Sequence, residues 1–254
     1  MSVEPLLLEE MTWPEVAEAL EAGRTTVVVA VGAVEQHGPH LPLLVDAARG
    51  DRLALEVARR LGDALVAPTI RVGCSEHHMS FPGTISLRRE TLEGVCVDYC
   101  TSLARHGFRR VCLVPSHGGN FGPLRHMLPE LREAVAPDCA VDAYTDLAGF
   151  LEVWIRAVEE EAGLGGRVGG HADIAESSEM LVIRPELVRR ERAVPGYRGP
   201  FDAALYDRMF RDGLHAVAPN GILGVPEGMS EAIGRRCIEL AAEAVVAFLG
   251  RGAT

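Results

Sequence analysis

Thr25-Thr26-Val27-Val28-Val29-Ala30-Val31-Gly32-Ala33-Val34 is a run of β-branched and small apolar residues that ends abruptly in Glu35-Gln36-His37-Gly38-Pro39-His40. A strand with one wet face alternates apolar and polar side chains. This run does not, so it is expected to be covered on both faces, as in a parallel sheet. Before it, a short helix is predicted over Pro14–Ala22, with Thr12 as its cap and Pro14 in its first turn. After it, the pattern predicts a helix over 47–61, a strand over 64–70 and a long loop to Ser86. A helix over 89–105, a strand over 110–115, a helix over 123–134, a strand over 140–144 and a helix over 147–161 follow. The glycine-rich stretch 163–170 reads as a mobile or tightly curved approach to a site. Further helices are expected over 173–183, 202–212 and 228–249. Strands alternating with helices require right-handed crossovers, so residues 1–254 are read as one α/β domain, a three-layer α/β/α sandwich with a mainly parallel central sheet.

Of the 254 residues, 48% are hydrophobic and 24% charged, enough for a substantial core and too apolar for disorder. Lysine and arginine total 25 against 36 acidic residues, a formal net charge of -11. Such a surface repels phosphate backbones and anionic lipid, so neither nucleic acid nor a membrane is expected as a partner. The longest apolar run, Val27–Val31, is too short to span a bilayer, and no basic segment followed by an apolar one opens the chain. The cytoplasm is the expected compartment. The six cysteines form no CxxC pair and read as reduced, buried thiols.

In open α/β sheets, ligands gather at the carboxyl ends of the strands. Two polar motifs fall there. Glu35 and His37 are two apart, so an extended backbone projects both to one side, and Asp46 returns to the same edge through a loop stiffened by Pro39 and Pro42. Mixed carboxylate and imidazole donors suit zinc, manganese or iron, and the lack of cysteine favours a catalytic over a structural site. The competing reading has Glu35 capping a helix and His37 satisfying a loop carbonyl. His117 sits between a strand and Gly118-Gly119, with Asn120 placed to orient a neighbour or cap the next helix. Farther on, Glu176 falls in the first turn of a helix that His171 enters, although compensation of the helix dipole would also explain an acid there. A fourth cluster, Ser75-Glu76-His77-His78, is assigned to substrate binding, with subunit contact as the alternative for its histidines.

Taken together these motifs resemble the creatininase family. The likeness lies in Val31-Gly32-Ala33-Val34-Glu35-Gln36-His37-Gly38-Pro39-His40-Leu41-Pro42 with Asp46, Phe81-Pro82-Gly83-Thr84-Ile85-Ser86, His117-Gly118-Gly119-Asn120, His171 with Glu176-Ser177-Ser178, and Pro219-Asn220-Gly221-Ile222-Leu223-Gly224. It covers nearly the whole chain in the family's order. The resemblance implies a three-layer α/β/α fold, two divalent ions (zinc or manganese, with iron allowed by the donors) and a homo-oligomer, often a hexamer. By position, Glu35, His37, Asp46, His117 and Glu176 would be metal ligands, with Asp46 bridging. His171 would handle the proton beside the scissile bond. Separately from the resemblance, Ser75, Glu76, His77 and Asn120 are expected to bind substrate. The activity implied is metal-assisted cleavage of a C–N amide bond in a small molecule. Peptide trimming in cofactor maturation, or ligand binding without chemistry, are the alternatives. Four departures from the pattern stand out: Pro115-Ser116 where the family has Asn-Gly before the middle histidine, Gly119 where creatininase proper has an acid, Asp173-Ile174 where the family has Gly-Glu, and no aromatic cover immediately before His171.

Overall fold

A computed structural model describes residues 6–251, so both ends of the 1–254 span lie outside the described residues. Its sheet has four parallel strands in the order β2-β1-β3-β4: β1 Thr26–Val31, β2 Ala64–Val66, β3 Arg110–Pro115 and β4 Ala140–Ala143. Register runs Thr26 to Arg110 and Val31 to Pro115, so the carboxyl ends of the two central strands finish level. Alternation along β1 shows why the run is wholly apolar. Val28 and Ala30 face a core built with α2 (Val45–Leu61), α5 (Leu147–Ala162) and α8 (Glu231–Arg251), while Val27, Val29 and Val31 face α3 (Arg89–Arg105) and α4 (Gly118–Val135). Each buried valine side chain contributes roughly 1.5–3 kcal/mol, and both faces must be apolar for that gain.

Local signals set the helix starts. At α1 (Trp13–Glu21), Thr12 and Glu15 form a capping box, with Thr12 N donating to Glu15 Oε2 at 2.6 Å. At α6 (Ile174–Ile183), the buried Asp173 carboxylate accepts from the Ala175 and Glu176 amides.

Three expectations fail. The strand expected over 64–70 stops at Val66, with Ile70 forming an isolated bridge to Val31. Helix α4 begins at Gly118, not Pro123, because Asn120 N already closes a turn onto His117 O at 3.1 Å, and Pro123 and Pro129 lie inside the helix. The glycine stretch is not simply a loop: Val168–His171 forms β5, paired antiparallel with β6 (Leu223–Gly224). A Cβ on Gly169 would strike the Leu223 backbone, so this ladder selects glycine and carries none of the alternation by which strands are recognised. All six cysteines are free, five of them buried. Among the described residues no helix is long and apolar enough to cross a membrane.

Candidate metal centre

Four segments deliver six polar side chains to the carboxyl edge of the sheet. Glu35 and His37 follow β1, Asp46 lies in the first turn of α2, His117 caps α4, and His171 and Glu176 flank the start of α6. Each is buried, between 0% and 7% exposed, a setting acidic side chains occupy only when partnered. His117 Nδ1 lies 3.6 Å from Asp46 Oδ2, and His117 Nε2 lies 3.3 Å from Glu35 Oε2. His37 Nε2 faces Asp46 Oδ1 at 3.6 Å and Glu176 Oε2 at 3.5 Å. Three overlapping triads thus place one donor atom each within 4.8 Å of the others: Glu35, Asp46 and His117; His37, His171 and Glu176; and Glu35, His78 and His171.

The surroundings fix which atoms point inward. His37 Nδ1 donates to the Glu35 carbonyl at 3.1 Å, since a carbonyl can only accept, and His171 Nε2 lies 2.9 Å from both the Gln36 carbonyl and the Gln36 side-chain amide nitrogen, which together hold its ring. His37 Nε2 and His171 Nδ1 face the cluster, the orientation that metal-binding histidines adopt, and His37 Nε2 offers a lone pair there once it gives up its second proton. His117 Nε2 donates to the Cys74 carbonyl at 3.0 Å, freeing Nδ1 toward Asp46. Ala172, at φ 53°, turns its amide onto Glu176 Oε2 at 2.6 Å and so holds that carboxylate in place. Ser116 Oγ donates to the Asp46 carbonyl at 2.7 Å, docking α2 on the end of β3.

Charge is poorly balanced by protein alone. Burial, then the Asp46 charge, push Glu35 well above the ordinary carboxylate range, against the pull of His37 and the adjacent Ser75 hydroxyl. Burial lifts Glu176 to about 7, against His37 and Arg49. Burial also disfavours charge on His37, yet Asp46 and Glu176 outweigh it and raise His37 to about 9. For His171 burial dominates, followed by repulsion from His37, and holds its pKa well below normal. Protons on these groups therefore do the neutralising work that a cation would do. Both Glu35 oxygens, Asp46 Oδ2 and His37 Nε2 are buried without a hydrogen-bond partner, an expensive arrangement unless something else binds them. Oxygen and imidazole donors orphaned around one space fit divalent cations.

Beneath the cluster lies a cation the sequence reading did not single out. Arg49, 4% exposed, donates to Glu176 Oε1 at 2.8 Å, to the Ser116 carbonyl at 3.0 Å and to Glu179, and its guanidinium lies 4.5 Å from the Trp154 ring centroid. It also lies 3.4 Å from Asp46 Oδ1. His78, expected in the substrate-binding cluster, also reaches the donor cluster: its Nδ1 meets Gln36 Nε2 at 3.0 Å and its Nε2 meets Glu35 Oε1 at 3.3 Å.

Of the five residues assigned to substrate, His77 and His78 line the cavity above the cluster. Asn120 is fully buried and spends its amide on the Val31 and Gly32 carbonyls and the Cys74 amide, so it braces the two polar loops and does not face a ligand. Glu76 is exposed and Ser75 buried, both outside the cavity lining. Position 119 has no room for an acid, since a Cβ there would collide with the His117 ring and the Cys74 carbonyl.

A family model described as creatinine amidohydrolase matches residues 9–249. The chain belongs to the creatininase family. It is 33% identical over 237 residues to a mycofactocin precursor peptide peptidase of Mycobacterium ulcerans (strain Agy99), covering 89% of this chain and 80% of that protein. To a creatinine amidohydrolase of Pseudomonas putida it is 35% identical over 207 residues, covering 76% and 78%. A solved manganese creatininase superposes with TM-score 0.78 at 27% identity over 98% of both chains, and a Zn–Zn form of a creatininase variant with TM-score 0.76 at 28% identity over 98% and 99%. These matches agree with the α/β sandwich, and this member of the creatininase family is a divalent-metal-dependent hydrolase of C–N bonds.

Proposed function

We propose that this creatininase-family protein hydrolyses an amide in a small molecule at a centre of two divalent cations, zinc or manganese with iron also compatible. Glu35, His37, Asp46, His117 and Glu176 would hold the ions, Asp46 reaching both sides. The supporting observation is the set of buried, partnerless donor atoms on Glu35, Asp46 and His37. When bound, such cations acidify water and polarise a carbonyl. Water adds to the carbonyl carbon, the C–N bond breaks, and an acid and an amine leave.

The protein supplies orientation and a proton path. Backbone carbonyls of Glu35, Gln36 and Cys74 fix three imidazoles, and Ala172 and Arg49 fix the Glu176 carboxylate. His171 is neutral at rest, so it can take a proton through Nδ1 and pass it to the leaving nitrogen. The likeness to a peptide peptidase and the glycine at 119 favour a second reading, trimming of a short peptide, over creatinine itself. A binding protein without chemistry would have no use for a proton-handling group lining the cavity, as His171 does. We further assign the chain to one domain, to the cytoplasm and to a homo-oligomer of the family's hexameric type, with a small amide as its partner and neither nucleic acid nor membrane.

An amide panel assayed with added zinc or manganese tests this reading, with Asp46→Ala as control. Loss of both metal and turnover in that variant is expected, and turnover that survives in metal-stripped Asp46→Ala would refute the scheme.

A further inference from the structure

The cavity above the donor cluster is chemically two-sided. Its floor is imidazole, from His77, His78, His117 and His171. Its walls are Leu147 and Leu151 of α5, Tyr206, Met209 and Phe210 of α7 (Ala203–Asp212), and Leu223 of β6. Among the described residues no Asp, Glu, Lys or Arg lines it.

Helix α7 positions this wall. It buries Met209 to 6% exposure yet leaves the neighbouring Phe210 58% exposed, with the Phe210 ring 4.8 Å from the His77 ring. A large aromatic kept half in water at the mouth of a cavity is available to a ligand. The floor is kept open beside it, since a Cβ on Gly118 would meet nothing within 4 Å, and Gly170 places no side chain before His171. The apolar cover that the sequence lacks next to His171 therefore comes from α5 and α7.

A charged group entering such walls sheds water and finds no partner, whereas an apolar group gains by burial. We propose that the substrate is a neutral amide bearing an apolar side chain beside the scissile bond, seated between α5 and α7 with its amide toward the histidines. This rests on the hydrolase reading above and narrows it to a substrate class. Amides flanked by carboxylate or ammonium side chains are disfavoured.

The test uses blocked dipeptides, acetyl-Xaa-Xaa-amide with glycine, leucine, phenylalanine, glutamate or lysine, and the full chain loaded with zinc or manganese. Calorimetry should show the leucine and phenylalanine peptides binding roughly tenfold or more tightly than the other three. Phe210→Ser, a change at an exposed position, should shrink the leucine-to-glycine ratio at least threefold. Equal binding of all five, a preference for glutamate or lysine, no binding of any, or an unchanged ratio in Phe210→Ser overturns the proposal. Preferential binding without cleavage of any peptide sustains the apolar pocket and counts against the hydrolase reading. Cleavage without preference does the reverse.

Discussion

Replacing Arg49 by leucine isolates the contribution of the cation beneath the donor cluster. The guanidinium is 4% exposed and serves Asp46, Glu176 and Glu179 together. Without it, Glu179 keeps only the Trp154 indole, 3.3 Å from its Oε1, and Glu176 Oε1 loses its donor. Removing one partner of a buried ion pair costs about 3–5 kcal/mol, because the stranded charge stays out of water. For a chain of this length that corresponds to a fall of about 6–20 °C in thermal midpoint. Calorimetry of the metal-free protein in a chelator should show the full penalty. With zinc or manganese present the penalty should shrink, since Asp46 and Glu176 then have cation partners and Glu179 alone is stranded. With metal bound, Arg49→Leu combined with Glu179→Leu removes the remaining pair at nearly constant volume and should recover most of the loss. A fall below about 2 °C in the single variant, equivalent to under ~1 kcal/mol, or a double variant no more stable than the single, would refute this account of the Arg49 network.

Two further predictions concern the cluster itself. Gly119→Ala should force apart the 3.0 Å hydrogen bond between His117 and the Cys74 carbonyl and weaken metal binding by roughly 10–100-fold, read by titration against a fluorescent chelator; unchanged affinity would mean that bond does not orient His117. Metal uptake should release protons at pH 7.5, because His37, raised to about 9, is protonated in the metal-free state and must give up that proton to coordinate, and the upward shift of Glu35 acts in the same direction. Calorimetry in buffers of different ionisation enthalpy should show about one proton or more released, falling as pH passes 9, and none released at pH 7.5 would contradict the assignment.

Much of the architecture can be read from sequence because the sheet is buried on both faces. An unbroken apolar run such as Val27–Val31 has few other uses, and the polar residues directly after β1 and β3 must emerge at one edge. For the same reason the sequence alone places Glu35, His37, Asp46 and His117 at one rim of the sheet. The start of α4 was hidden because Gly118-Gly119-Asn120 has the composition of a loop while acting as the first turn. Strand β5 was hidden because its two glycines erase alternation. Arg49 and Glu179 were missed for a different reason. A charge in a helix ordinarily marks the solvent side, yet α6 is buried along most of its length, and Glu179 in such a helix signals a buried partner. Asn120 misled in the opposite direction, since a buried amide bracing backbone looks in sequence like one facing a ligand.

The proposed hydrolysis depends on divalent cations being held where Glu35, His37, Asp46, His117 and Glu176 converge. Anomalous scattering from crystals loaded with zinc or manganese, recorded on either side of the metal's absorption edge, addresses this directly. Peaks are expected within ligand distance of the Asp46 carboxylate, one toward Glu35 and His117 and one toward His37 and Glu176. A map without density there, from protein that still hydrolyses its amide, would contradict the account.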